Sequence, residues 1–201
     1  MAVVKDNYST YSLILANLAI IVLAVAQGWN FSTLIWSYWL QSLIIGLFQF
    51  FKILDLKQFS AKGFKINGRP AKPTPKTKYF TAVFFAIHFG GFHFVYSVFL
   101  ASNARQAEWG SILLVSAVFL ANHLFSYFKN RRQDRRKIKN IGTMLFFPYA
   151  RIIPMHLTIL FGFFLIGGPI SLVFFLLLKT AADVVMHKIE HRQNQTLFSK
   201  P

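Results

Sequence analysis

Long uninterrupted apolar blocks leave this chain few folds to adopt. Each block is close to the ~20 residues that a helix needs to cross the hydrocarbon core of a bilayer. In lipid the backbone must satisfy its own polar groups, which favours helices for such blocks. They predict six spans, over residues 10–27, 33–54, 79–101, 109–128, 147–166 and 170–189. Gly28-Trp29-Asn30 and Gly167-Gly168-Pro169 supply turn signals between neighbouring spans. If the second signal failed, the last two spans would merge into one kinked helix. Trp36, Tyr38 and Trp39 suit an aromatic belt at the membrane surface. The expected fold class is all-α, a polytopic transmembrane helix bundle forming a single domain over residues 1–201. Composition agrees: charged residues are 14 % of the chain, against about 25 % in soluble domains. That is too little polar surface to coat a soluble core. No small-residue cleavage motif follows the first block, so no removable leader is expected.

Net charge is +16, yet the cations lie between the apolar blocks. Two stretches concentrate them, residues 55–78 and 129–143, read as basic cytoplasmic loops. Gly63, Gly68, Pro70, Pro73 and Pro75 mark the first as irregular. With the N-terminus inside and six alternating spans, 19 of the 22 basic residues fall inside and only Arg105 outside. Positive residues are enriched in cytoplasmic loops, so both termini are expected in the cytoplasm. The expected location is the inner membrane of a prokaryote, with anionic lipids at the cytoplasmic face as partners. Other subunits of a membrane complex, or a homo-oligomer, are further candidate partners. Clustering of the cations in short loops between spans argues against nucleic acid. There is no cysteine, which excludes disulfides, thiolate metal sites and Cys nucleophiles.

Ionisable groups inside a bilayer cost about 2.5–3.5 kcal/mol each and commonly carry function. The expected spans hold His88, His93, His123, Arg151, His156, Lys179, Asp183 and His187, with His191 just beyond. At 1.5 Å per residue, His88, His123, His156 and Asp183 fall roughly 13, 9, 12 and 10 Å from the expected cytoplasmic ends of their helices. Lys179, Asp183, His187 and His191 recur every four residues and share one helix face. The candidate metal ligands are therefore His88, His123, His156, Asp183 and His187. Imidazoles with a carboxylate suit zinc, iron or copper, and two facing histidines could ligate a haem. The bland alternatives are polar glue between helices and a Lys179–Asp183 charge pair. Gly90-Gly91, beside His88, would let a neighbouring backbone come close. Arg151, Lys179 and Gln41 are candidates to bind a substrate or a lipid headgroup, with Ser42 and Gln49 as further inward-facing positions.

His88-Phe89-Gly90-Gly91-Phe92, Pro148-Tyr149-Ala150-Arg151-Ile152 with His156, and Lys179-Thr180-x-x-Asp183-x-x-x-His187 resemble the motifs of an uncharacterised prokaryotic polytopic membrane family, a domain of unknown function. The resemblance implies membrane architecture over most of the chain and no activity. His187-x-x-x-His191 matches the spacing of some zinc-dependent membrane hydrolases, but the rest of their pattern is missing. Three functions stay open. One is a metal- or haem-binding protein, as an enzyme on a lipid or quinone-like substrate. Another is a proton-coupled transporter, and the third a non-catalytic accessory subunit of a membrane complex.

Overall fold

The computed structural model describes residues 28, 30–135 and 138–149, with isolated positions from 152 to 184. The chain divides into two units, residues 35–149 and residues 1–34 with 150–201. The expected first span, and most of the fifth and sixth, lie outside the described residues.

Over residues 31–134 the expected long helices form, and each runs further than its apolar block. They are α1 (Phe31–Leu54), α2 (Pro75–Asn103) and α3 (Trp109–Asp134). Gly28 takes the turn at φ +64°, and the Asn30 side chain accepts from Thr33 N–H at 2.7 Å to begin α1. Thr74 caps α2 by accepting from Thr77 N–H at 3.3 Å, and Pro75 sits in the first turn, where its missing N–H costs nothing. This cap carries α2 four residues beyond the apolar block that predicts it. All three helices are long and apolar enough to cross a membrane, a property compatible with an integral membrane protein.

The helices alternate in direction. At one end Trp36 Nε1–H donates to the Ala104 carbonyl at 3.1 Å, joining the start of α1 to the end of α2. Trp36 also packs against Trp109 at the start of α3, with ring centroids 5.1 Å apart. At the other end Lys78 Nζ donates to the Leu56 carbonyl at 3.1 Å. Thr77, Thr81, Phe85, Phe89, His93, Tyr96 and Leu100 form the buried stripe of α2, spaced by three or four residues. Phe89 lies so close to Gly46 of α1 that a Cβ there would come within 2.3 Å of its ring. The close approach is thus at Gly46. No described residue lies within 4 Å of a Cβ placed at Gly90 or Gly91. The outer faces are apolar: Ile87 is 72 % exposed and Leu114 68 %, the pattern of helices solvated by lipid.

The two basic stretches are not separate irregular loops. Residues 55–78 contain β1 (Phe59–Ser60) and a hairpin of β2 (Lys65–Ile66) and β3 (Arg69–Pro70). Asn67 and Gly68 turn that hairpin at φ +50° and +76°, the left-handed pair that a two-residue turn requires. Residues 129–143 begin inside α3, which continues to Asp134, and contain β4 (Lys139–Asn140) and the start of α4 (Ile141–Phe146). β1 and β4 pair in parallel. Asn140 donates from Nδ2 to the Lys62 carbonyl at 2.9 Å and accepts at Oδ1 from Thr143 N–H at 3.1 Å, capping α4. Gln49 then ties α4 to α1 by donating to the Met144 carbonyl at 2.7 Å.

Candidate functional site

Three histidines lie among the described residues, and their surroundings separate their roles. His93 is buried on α2. Its Nδ1 is 2.9 Å from the Phe89 carbonyl, which can only accept, so a neutral ring carries its hydrogen there. Nε2 then accepts from Ser42 Oγ at 3.0 Å. Trp39 Nε1–H donates to the His93 carbonyl at 2.9 Å, and the ring stacks on Phe89 at 4.3 Å. Nδ1 is used within α2 and Nε2 joins α2 to α1 through Ser42, so His93 fits the polar-glue reading.

His88 differs. It is exposed, one helical turn from the buried stripe, between Phe84 and Phe92 with ring centroids 5.2 and 5.1 Å away. Its Nδ1 lies 2.8 Å from the Tyr149 hydroxyl, 61 residues along the chain. The pair joins the His88-Phe-Gly-Gly-Phe segment to the Pro148-Tyr149 segment. An imidazole against a phenol can pass a proton in either direction, because each group donates or accepts. His123, on α3, stacks on Phe119 at 4.1 Å and meets Phe48 at 5.9 Å. Its Nδ1 lies 3.1 Å from the Phe119 carbonyl, which places the lone pair of a neutral ring on Nε2.

Of the other expected site residues, Gln41 is half-buried near the middle of α1. Arg151, His156, Lys179, Asp183 and His187 lie outside the described residues. Among the described residues, no three His, Asp or Glu gather in a way that could hold a metal ion.

A second constellation, absent from the sequence expectations, closes the polar end of the helices. Asp55 follows α1 directly. Tyr127, Arg131 and Arg135 recur every four residues on one face at the end of α3. Arg131 Nε and Nη2 donate to the Asp55 carboxylate at 2.7 and 2.9 Å, and Arg135 and the Tyr127 hydroxyl donate to it as well. The Arg131 hydrogen bonds, with those of Tyr127 and Arg135, hold the Asp55 carboxyl well below the usual carboxylate range, against the opposing effect of burial. A space of about 10 Å³ beside the carboxylate is lined by Lys52, Lys139 and these residues, about the room that one water needs. The signal in the sequence was Asp55 as the one acid of residues 55–78, with Arg131 and Arg135 four apart.

The described fold is mostly α-helical, and three of its helices are long and apolar enough to cross a bilayer, which is compatible with an integral membrane protein. The chain belongs to the family of unknown function DUF6498, whose profile matches residues 3–197. No curated relative and no solved structure matches it.

Proposed function

We propose that the protein is a six-span integral membrane protein with both termini in the cytoplasm, and that His88 and Tyr149 form a proton-carrying pair for proton-coupled transport. The observation that carries the site is the 2.8 Å contact between the His88 imidazole and the Tyr149 phenol. Intramembrane histidines commonly serve in proton relays. The topology is supported by the distribution of basic residues and by the alternation of the described helices, whose two basic connections meet at one end. To test the site, the protein is reconstituted in liposomes holding a pH-sensitive dye, under an imposed potassium diffusion potential. Wild-type protein should move protons, His88→Gln should lose the flux, and Tyr149→Phe should reduce it. Wild-type flux no faster than that of empty liposomes would overturn the reading.

His123 favours a second reading, in which a transition metal or haem is held by His88 and His123 with His156, Asp183 and His187. A ring nitrogen bonded to a backbone carbonyl, as Nδ1 of His123 is to Phe119, is the usual outer-shell arrangement of a metal-ligating histidine. Such a group would supply Lewis-acid or redox chemistry to a lipid-like substrate. Elemental analysis and a visible spectrum decide it: about one zinc, iron or copper per chain, or a Soret band, would support it. Protein purified gently without either would count against it.

A further inference from the structure

At the polar end of α3 lies an open cavity of about 380 Å³, lined by Lys57, Phe128, Arg131, Arg132 and Arg135. Among the described residues, four cations and no acid line it. Asp55, on the far side of Arg131 and Arg135, offsets one of those charges and fixes both guanidinium groups in place. Arg131 is held by two hydrogen bonds from its Nε and Nη2, so the order of the cluster does not depend on a ligand. Preorganised guanidinium groups with a flanking ammonium are suited to phosphate, which accepts several hydrogen bonds at once.

The surface leading to this cavity is apolar. Leu114, Val118, Phe125 and Phe128 are all exposed on α3. At 100° per residue they fall on one face, and Arg132 continues the same line. The stripe thus runs along a helix fit to cross a membrane and ends in the cationic cavity. An acyl chain laid on it would place its headgroup phosphate among Lys57, Arg131, Arg132 and Arg135. We propose that this cavity is a binding site for one anionic glycerophospholipid, its phosphate held by the cations and its acyl chain by the α3 stripe. The proposal rests on the membrane reading and is independent of the His88 pair.

The test uses the full chain in mild detergent, with native mass spectrometry to count bound dioleoyl phosphatidylglycerol or dioleoyl phosphatidylcholine. The protein's need for detergent reports separately on the membrane reading. Wild-type protein should retain one phosphatidylglycerol in preference to phosphatidylcholine. The exposed double variant Lys57→Gln/Arg132→Gln should lose that preference by roughly tenfold or more, since each surface cation contributes about fivefold toward anionic lipid. A control with the same change in charge, Arg69→Gln/Lys72→Gln on and beside the hairpin, should keep it. Equal binding by the Lys57/Arg132 variant, or equal loss in the control, would overturn the local site. Displacement of the lipid by millimolar inorganic phosphate would overturn the lipid assignment in favour of a soluble phosphate ligand. A circular-dichroism melt within a few degrees of wild type would show that the variants are folded.

Discussion

Asp55 is the residue on which the polar end depends. It accepts from Tyr127, Arg131 and Arg135 while most of its own surface is covered. Removing one partner of such a network strands the others, so Asp55→Asn should lower stability by about 1–3 kcal/mol, the upper end reduced because both arginines keep solvent contact. A thermal melt in detergent measures this. The carboxyl titrates below its unfolded value of about 4. Its contribution is therefore complete above that pH and is lost as pH falls below it. Wild-type protein should lose stability progressively on acidification below about pH 4, and the Asn variant should lose less. Gly46 is the second such residue. A Cβ there would meet the Phe89 ring, itself stacked between Phe85 and His93, so Gly46→Ala should cost about 1–3 kcal/mol by overpacking. An unchanged melting temperature would show that Phe89 can yield. Asp55 stood out in the sequence only as the one acid of residues 55–78, and Gly46 did not stand out at all. A helix's lipid-facing and partner-facing glycines look alike until the neighbouring helix is placed, and Gly90-Gly91 drew attention through composition alone.

At the scale of elements, the long helices were readable because apolar runs of this length have few alternatives in water or lipid. Their ends were less so. The apolar pattern stops at Phe128, but α3 continues through a basic stretch to Asp134, where Arg131 and Arg135 on one face find Asp55. The hairpin was legible in principle: Asn67-Gly68 is a strong two-residue turn signal, masked by the glycines and prolines around it. Gly68 sits at φ +76°, so Gly68→Ala should cost about 1 kcal/mol. Amides of Ile66 and Arg69 should then exchange faster with deuterium, and an unchanged rate would mean that the turn tolerates a side chain. Asn140 has two tasks, the α4 cap and the bond to Lys62. Asn140→Ala should therefore loosen both elements and lower stability by about 1–2 kcal/mol. A variant that melts like wild type would assign those bonds no net value.

At the scale of the molecule, alternation of α1, α2 and α3 puts Lys72 and Arg105 at opposite ends of the described helices. The absence of cysteine makes this simple to check. In whole cells, Arg105→Cys should react with a membrane-impermeant maleimide, and Lys72→Cys should react only after the membrane is opened. The reverse pattern would invert the proposed orientation, and labelling of both from outside would break the alternation. Basic-residue counting puts both basic stretches on one side because charge acts on whole loops, and the labelling decides which side that is. The same counting could not show that the loops are folded together, since pairing between remote short strands leaves almost no trace in a linear pattern.

That pairing has a consequence during synthesis. β1 is complete at Ser60, but its partner begins at Lys139, 80 residues after Phe59. At ribosomal speeds of about 5–20 residues per second, the strand waits roughly 4–16 s for its neighbour, whereas the hairpin beside it can close within microseconds. Through that interval Asp55 also lacks Arg131 and Arg135, because α2 and α3 must both be synthesised before the two ends can meet. Until α3 and the strand after it are made, β1 has an open edge and Asp55 lacks its two arginines, so both ends of the fold are completed together and late.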